Sequence, residues 1–525
     1  MKKHTFYKWT LLLALPALLV VAGCRKFLDR KPLTATLEDL NQGALEGQVL
    51  GMYTNLRTLA GFSLLPWIDF HSIRDDDAQK GSDINDGAEI VATFDRYQYS
   101  KDDWAPNTYW NDHYTMINLA NNAVAAADSL KVSDAASLRN VGEACFFRAY
   151  TYFELVKNYG DVPLINFPIR NPNDGIRDRS PAARIYEFID SNLQVAAALL
   201  PPSSASYGAG FQGRLTRGAA NALWAQTHLF RRNWAQVVSL CNLVTADGYS
   251  LMPEFSDVWR ESGENGPESI FEMQAYVGPG AATNSALDNG SDWGTMQQVR
   301  RNGAPVEWNL GWGWNVPTDK LETEWPANDP RKQKTILYSG QSDGGPQFGG
   351  FGATLPPYTN PSGTGGLAQR FWNKKLYTGN DPAIRQSTGF VNNAGNARWI
   401  NHRILRYADV LLMLAEAQNE LGNGPAAAAA LEQVRKRASG GLDPATRTVV
   451  PYIAFQNQEQ MRQAIKEERR WELAMEGYRF YDLVRWGDAQ QVLGPLGYTS
   501  RARFYPIPQK AIDLSGGVLT QNPEW

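Results

Sequence analysis

Residues 405–438 read LRYADVLLMLAEAQNELGNGPAAAAALEQVRKRA, and this stretch decides the fold class. From Ala408 to Leu421, apolar and small side chains recur at three- and four-residue steps, which is the spacing of one face of a helix. The segment Gly422–Pro425 is a turn, and an alanine-rich stretch follows it. The sequence therefore predicts a helical pair from Leu405 to Ala438, two helices joined by a short turn, with alanine where their backbones approach closely.

Similar patterns occur earlier in the chain. A helix is predicted from Ser137 to Gly160, and a second helix–turn–helix pair runs from Leu215 to about Val244. Such pairs are typical of tetratricopeptide repeats, although their spacing here is too irregular for a regular array. We therefore predict an all-α fold of degenerate tetratricopeptide-like helix pairs; an unclassified helical bundle is the alternative.

Between Gly278 and Gly395 the composition changes. Glycine, proline, asparagine and glutamine dominate, and aromatic residues stand among turn residues, as in GWGWN at 311–315. An irregular stretch of this length is improbable unless it carries function or is braced by a scaffold. We expect a loop-rich insertion at about 278–395 that presents binding side chains, packed on a helical scaffold formed by residues 40–275 and 400–490.

The N-terminal sequence predicts where in the cell the protein is located. Lysines precede an apolar run from Leu11 to Ala22 that is too short to span a bilayer. The run ends VAGC at Cys24, where small residues fit a peptidase and the thiol can accept a diacylglycerol. A lone cysteine in an apolar stretch is otherwise a small hydrophobe. The order of these parts favours a lipoprotein signal peptide at 1–23, lipidation of Cys24 and a single domain over 24–525.

Charge and composition narrow the function classes. Lysine and arginine number 51 against 54 aspartates and glutamates, so the balance predicts no nucleic-acid partner. Cys145 and Cys241 lie in apolar helical patterns without CxxC spacing, and we interpret both as buried thiols. The histidines outside the signal peptide show no metal-ligand spacing either: His71, His113, His228 and His402. We predict no metal site and no cofactor.

Paired carboxylates raise the question of a glycoside hydrolase. Glu468, Glu472 and Glu476 are spaced four residues apart on one predicted helical face, where they would repel one another unless arginines neutralise them. The candidate arginines are Arg406, Arg469, Arg479 and Arg485. A general acid needs a raised pKa, which neighbouring positive charge would lower. We therefore assign these residues to structure and predict no catalytic residues and no enzyme.

Asp75, Asp76 and Asp77 form an acidic cluster in an early loop, directly after Arg74. Such a cluster can bind a cation or sugar hydroxyls. Helix capping and an ion pair with Arg74 are the interpretation we favour.

An oligosaccharide-binding site would draw on loop aromatics. A neutral sugar offers apolar C–H faces and a rim of hydroxyls, so its site needs flat rings and hydrogen-bonding side chains. For each tryptophan the alternative is a core or loop-bracing role, because most tryptophans are substantially buried. The candidate ligand-binding residues are Trp67, Trp293, Trp308, Trp312, Trp314 and Tyr358, with Asp292, Asn309 and Asn315.

Two long C-terminal segments carry a resemblance to a known family. Residues 404–417 read ILRYADVLLMLAEA, and residues 464–487 read AIKEERRWELAMEGYRFYDLVRWG. Shorter matches are YPIP at 505–508 and QNP at 521–523. With these motifs the chain resembles the SusD/RagB family, the starch-utilisation type of surface nutrient-binding lipoproteins.

The resemblance implies a helical fold with four tetratricopeptide units and a lipid-anchored position on the outer membrane, facing the cell exterior. It also implies a partner, a SusC-like TonB-dependent transporter. Since the family's ligand residues lie in variable loops, it transfers no individual binding residue to this chain. The expected function is capture of a glycan for that transporter; a peptide-binding member of the family and, less favoured, a surface glycoside hydrolase are the alternatives.

Overall fold

The computed structural model describes residues 45–83, 85–208, 211–276, 290–359, 365–379 and 398–525. The predicted signal peptide and Cys24 lie outside the described residues, as do parts of the predicted insertion. No helix within the described ranges is long and apolar enough to cross a membrane.

Helices dominate the described chain. They are α1 (Leu45–Thr58), α2 (Ala60–Ser63), α3 (Leu65–His71), α4 (Ala88–Ile90), α5 (Trp104–Leu130), α6 (Ala135–Tyr159), α7 (Ala182–Leu199), α8 (Arg217–Phe230), α9 (Trp234–Ala246), α10 (Asp292–Met296), α11 (Asp319–Glu324), α12 (Pro330–Thr335), α13 (Tyr407–Glu420), α14 (Gly424–Ala438), α15 (Gln458–Glu472), α16 (Arg479–Trp486), α17 (Ala489–Leu493) and α18 (Gln509–Leu514). The predicted all-α class is confirmed.

Short strands form antiparallel two-stranded pairs, β1 with β4, β2 with β8, β3 with β6 and β5 with β7. In the β1–β4 pair Ala78 lies opposite Pro317, and Gly81 lies opposite Trp314. The strands are β1 (Ala78–Gly81), β2 (Ser269–Met273), β3 (Arg301–Asn302), β4 (Trp314–Pro317), β5 (Ile336–Tyr338), β6 (Gly366–Leu367), β7 (Phe371–Asn373) and β8 (His402–Arg406).

The long helices pack as successive neighbours. Helix α5 packs on α6, α6 on α7, α7 on α8 and α8 on α9. Helix α13 then packs on α9, although about 160 residues separate them in the chain, and α14 and α15 pack on α13. Polar side chains cap several helix starts: the Asp134 carboxylate accepts the Ser137 N–H, and the Thr216 hydroxyl accepts the Ala219 N–H. The chain thus leaves the helical array after α9 and rejoins it at α13.

The predicted helix pairs are observed, with one difference. The pair predicted from Leu215 is α8 and α9, and Cys145 and Cys241 are buried free thiols, as predicted. Leu405 and Arg406, however, end strand β8 rather than begin a helix. These residues are extended because β8 pairs with β2. The Tyr407 N–H extends this pairing by donating to the Glu268 carbonyl.

The insertion also contains regular structure that its sequence does not predict. Helices α10, α11 and α12 have six residues or fewer, too few to produce a recognisable periodicity. The insertion has a small apolar cluster of its own, which includes Trp308, Leu310 and Trp372. A second cluster joins it to α15, where the Trp325 and Trp471 ring centroids lie 5.3 Å apart. The insertion is therefore braced on the scaffold by packing.

Candidate functional site

Buried ion pairs reinforce that bracing. Arg331, in α12, lies 2.5 Å from the Glu468 carboxylate and 3.0 Å from that of Glu472, both on α15. Arg406, at the end of β8, lies 2.6 Å from Glu472 and 2.7 Å from Glu476. These side chains are almost entirely buried, so an unpaired member would be costly. Buried arginines thus neutralise the three glutamates, as their spacing requires.

The partners of these glutamates differ from those predicted. Arg406 does neutralise the cluster, but Arg469, Arg479 and Arg485 do not; they bind the aspartates of other segments and Glu416. Long-range packing supplies other cations instead, because the helical array brings α14 and the insertion against α15. These are Arg331, Arg435, Arg437 and Lys375.

The early acidic cluster is also structural. The Asp75 carboxylate accepts the N–H groups of Asp77 and Ala78, at 2.8 and 2.9 Å. Asp77 pairs with Arg470. Burial would raise the pKa of Asp76, but the hydrogen bond and charge of Arg479 lower it to about 2. The cluster therefore joins the start of β1 to α15 and α16.

The predicted ion pair between this cluster and Arg74 is wrong. The buried Arg74 guanidinium lies over the rings of Phe480 and Tyr505, at 3.7 and 4.3 Å from their centroids. It donates to the Tyr99 hydroxyl and the Asn158 side chain. Because the guanidinium is buried among aromatic rings, it does not pair with the aspartates that follow it in the chain. Nothing in the local sequence predicts this burial.

Most of the candidate tryptophans are buried. The Trp67 ring stacks on His71, with centroids 4.7 Å apart, and its edge meets Trp293 at 6.0 Å. Trp308 and Trp314 belong to the apolar clusters of the core. The structure thus brings Trp67 and Trp293 together, but inside the protein, where these four rings have no free face for a sugar.

Two of the three candidate polar residues, Asn315 and Asp292, have side-chain partners within the protein. The Asn315 amide is buried and donates to the Gln297 side chain at 2.7 Å. Asp292 pairs with Arg398 at 2.6 Å. Asn309 is half-buried at the end of a short 3₁₀ turn. For Asn315 and Asp292 these contacts indicate a role in bracing the loops.

Trp312 and Tyr358 are the candidate aromatics that reach solvent, with exposed fractions of 36% and 39%. The Trp312 N–H donates to the Thr295 carbonyl at 3.1 Å, which fixes its loop. Gly313 has φ +76°, and a Cβ there would lie 2.8 Å from the Cβ of Arg300. Glycine is therefore required beside Trp312 so that the loop can hold the ring at the surface.

A charged pair contacts the backbone of Trp312. The Arg300 guanidinium donates to the Ser82 hydroxyl at 2.7 Å, to the Asp86 carboxylate and, at 3.4 Å, to the Trp312 carbonyl. The Arg300 and Asp86 side chains are 31% and 41% exposed. Partial burial would raise the pKa of Asp86, but hydrogen bonds from Ser82 and Arg300 hold it below its ordinary value. The carboxylate is therefore an ionised acceptor at neutral pH.

Tyr358 is connected to the same region through strand β3, which directly follows Arg300. Leu367 in β6 pairs with Arg301 and forms a bridge with Tyr358. The Asn302 amide donates to the Thr359 hydroxyl at 3.5 Å. We call the exposed and half-buried residues of this region the Trp312 surface: Asp86, Arg300, Asn302, Trp312 and Tyr358.

Sequence reasoning missed Ser82, Asp86 and Arg300. Arg300 lies 218 positions from Ser82 and 214 from Asp86 in the chain, so no local motif could associate them. The pairing of β1 with β4 brings the two segments together. Elsewhere, no group of three or more His, Cys, Asp or Glu side chains in the described part of the chain could hold a metal ion.

SusD-like proteins of known structure share this architecture, a helical array with a loop-rich insertion packed on it. A laminarin-binding SusD-like protein of known structure matches 92% of this chain and 99% of its own, with a TM-score of 0.72 and 25% identity. Surface glycan-binding protein A from Bacteroides thetaiotaomicron, solved in complex with laminarihexaose, shares the fold over 91% of this chain and 99% of its own, with a TM-score of 0.71 and 22% identity.

The sequence comparisons agree. Residues 301–501 match the family model described as SusD family, and residues 26–229 match the one described as starch-binding, associating with the outer membrane. The chain is thus similar to the SusD/RagB family in both its N-terminal and its C-terminal parts. SusD-like protein P2 of Formosa agariphila is 27% identical over 438 residues, which cover 79% of this chain and 80% of that protein. The predicted resemblance is confirmed.

Proposed function

We propose that this protein captures an oligosaccharide or polysaccharide at the cell surface on the Trp312 surface and delivers it to a TonB-dependent outer-membrane transporter. The observation that carries the proposal is the solvent-exposed Trp312, whose backbone carbonyl accepts a hydrogen bond from Arg300 of the partly exposed Arg300–Asp86 pair. An indole face stacks on the C–H face of a sugar ring, while the arginine and carboxylate exchange hydrogen bonds with its hydroxyls. Relatives of similar architecture whose names state binding to laminarin or other glycans support this choice of ligand.

The chemistry of the site supports binding without bond cleavage. A glycoside hydrolase needs one carboxyl group with a raised pKa that can donate a proton. Asp86 has a lowered pKa because Ser82 and Arg300 stabilise its ionised form. It is therefore suited to accept hydrogen bonds from hydroxyls and unsuited to act as a general acid.

The test is isothermal titration of the soluble chain, beginning at Arg25, with laminarihexaose, a wider glycan panel and a peptide mixture. We expect saturable heat with one glycan class and a loss of affinity of at least about tenfold in Trp312→Ala. Trp104→Ala is the matched control, because Trp104 is 45% exposed at the start of α5 on the helical scaffold. Unchanged affinity in Trp312→Ala would contradict the assignment of the site.

Other outcomes of the same titration separate the alternatives. Heat with peptides alone would place the protein in the peptide-import branch of the family. Release of shorter sugars from a bound glycan, abolished by replacing one carboxylate, would support the hydrolase. Heat with none of these ligands would contradict capture by the isolated protein.

The lipid anchor and the transporter are tested separately. We infer that Cys24 carries the anchor, so Cys24→Ala should release the protein from membrane fractions while its far-UV circular dichroism stays unchanged. Retention of this variant in a strain that lacks the transporter would argue against the anchor. Mild detergent extraction of the wild type should co-purify a large β-barrel, and its absence from the extract would argue against the transporter partner.

A further inference from the structure

A cleft of about 420 Å³ opens in the insertion between α12, β5 and the loop at 341–348. This volume lies within the range of small-molecule sites, about 300–1,000 Å³. The residues that matter for its chemistry are Glu322, Tyr338, Gln341, Ser342, Phe348 and Lys374. None of them belongs to the Trp312 surface.

The floor of the cleft contains a buried cation. Lys374 is only 4% exposed, and its ammonium donates to the carbonyls of Gln333 and Asp343, both at 2.7 Å. An ammonium carries three N–H groups, and these contacts use two of them. Burial lowers the pKa of Lys374 to about 8, so the group is still mainly charged at neutral pH. These two contacts leave one N–H of the ammonium, on a side chain that lines the cleft, for an acceptor of a bound ligand.

The wall of the cleft combines an aromatic ring with hydrogen-bonding groups. The half-buried Tyr338 ring packs edge-on against Phe371, with centroids 5.5 Å apart, and its hydroxyl donates to Glu322 at 3.3 Å. Gln341 and Ser342 lie exposed at the rim. Rings beside hydroxyl, amide and ammonium groups match the apolar faces and hydroxyl rim of a sugar.

The charges around the cleft compensate one another. Lys332 lies 2.8 Å from Glu322. The Asp343 carboxylate, next to Lys374, accepts the N–H groups of Gly345, Phe351 and Gly352, so it is used to hold its own loop. With each cation balanced by a carboxylate, the cleft favours a neutral polyhydroxyl ligand over an anion.

We propose that this cleft is a second saccharide-binding site, which we call the Lys374 cleft, separate from the Trp312 surface. It rests on the proposed function, since it takes the same class of ligand. The Gly340 N–H donates to the Pro356 carbonyl, and Tyr358 follows two residues later, so one hairpin links the two sites. A long glycan that is bound at one site is held close to the other, so its effective concentration there is high. Two sites on one insertion therefore bind a long glycan more tightly than either site does alone.

The test uses the Trp312→Ala variant, in which the first site is impaired, titrated with laminarihexaose or with the panel glycan that binds the wild type. We expect residual binding, weakened at least about tenfold by adding Gln341→Trp, which fills the cleft from an exposed position. Adding Lys374→Met should have the same effect. Gln347→Trp, exposed on the same loop but outside the cleft lining, is the control and should leave the residual affinity unchanged.

The outcomes separate the two proposals. If the wild type binds a glycan but Trp312→Ala has no residual affinity, or if Gln341→Trp leaves that affinity intact, the Lys374 cleft is refuted while the first site stands. If the wild type binds no glycan, the proposed function fails and this inference fails with it. Circular dichroism of each variant excludes unfolding as the cause of a loss.

Discussion

Glu472 illustrates how single residues hold this protein together. Its side chain has no exposed surface, and Arg331, Arg406 and Arg437 surround it. Burial would raise the pKa of Glu472, but the charges of Arg437, Arg406 and Arg331 hold it far below its ordinary value. These arginines come from the insertion, from β8 and from α14, so one carboxylate joins three separate parts of the chain.

Glu472→Gln is therefore expected to reduce the free energy of unfolding by about 3–5 kcal/mol, because it removes one charge and leaves its buried partners uncompensated. The matched control is Glu459→Gln on the same helix, where the glutamate side chain is 78% exposed. An exposed pair contributes about 0–1 kcal/mol. Urea denaturation measures both, and equal losses in the two variants would contradict the role given to Glu472.

The buried His113 side chain should make the stability of the protein depend on pH. It is buried between the rings of Phe62 and Tyr109, with centroid distances of 4.1 and 3.9 Å, and burial lowers its pKa to about 3. Below pH 6.5 the unfolded chain takes up a proton that the folded protein does not, so this residue reduces stability as the pH falls from about 6.5 toward 3.

Replacement of this histidine isolates the effect. Between pH 7 and pH 5, His113→Phe should lose about 2 kcal/mol less unfolding free energy than the wild type does. Urea denaturation at the two pH values measures the difference, and the other histidines cancel because both proteins contain them. Parallel losses in the two proteins would show that His113 titrates normally in the fold.

Among the elements, the β1–β4 pair matters most for the proposed site, since it brings the Ser82–Asp86 loop against Arg300 and Trp312. Gly81 has φ +74°, and a Cβ there would lie 2.4 Å from the Gly313 carbonyl oxygen. Only glycine accepts that conformation and that approach without strain. The register of this short pair thus depends on one residue without a side chain.

Gly81→Ala should therefore displace the Trp312 loop, lowering both the melting temperature and the affinity for the bound glycan. Gly47→Ala is the control: Gly47 is exposed in α1, and nothing lies within 4 Å of the added Cβ. This control should stabilise the protein by about 0.5–1 kcal/mol, since alanine is the better helix former. Normal glycan affinity in Gly81→Ala would show that β1 does not position the site.

At the scale of the whole molecule, the main apolar core crosses from the helical array into the insertion. Trp293, Trp314 and Leu376 of the insertion belong to the same cluster as residues of the long helices. The Arg331 ion pairs and the Trp325–Trp471 contact add further links. The insertion and the array should consequently unfold together.

Far-UV circular dichroism, which reports the helices, and tryptophan fluorescence, which includes the insertion, should then give coincident urea transitions. In Glu472→Gln both midpoints should fall together. Two separate transitions in the wild type would show that the insertion unfolds by itself.

The helical pairs could be predicted because their signal is local. The three- and four-residue spacing around Ala408–Leu421 and the Gly422–Pro425 turn are read within single segments, and the structure places α13 and α14 there. The short helices of the insertion could not be predicted, because six residues or fewer are too few to show a helical periodicity of apolar side chains. The extended conformation of Leu405 and Arg406 cannot be predicted locally either, because it depends on pairing with the distant strand β2.

The sequence alone indicated the helical class, the helix pairs at about 215–244 and 405–438, the resemblance to the SusD/RagB family and the ion-paired role of the glutamates at 468–476, because periodicity, turns and motifs act over a few residues. Tertiary structure alone decided which aromatics reach solvent, burying Trp67 and Trp314 while exposing Trp312. It also selected the partners of the buried glutamates and brought Asp86 against Arg300. Burial and ion pairing depend on segments hundreds of residues apart, and only the packed fold brings those segments together.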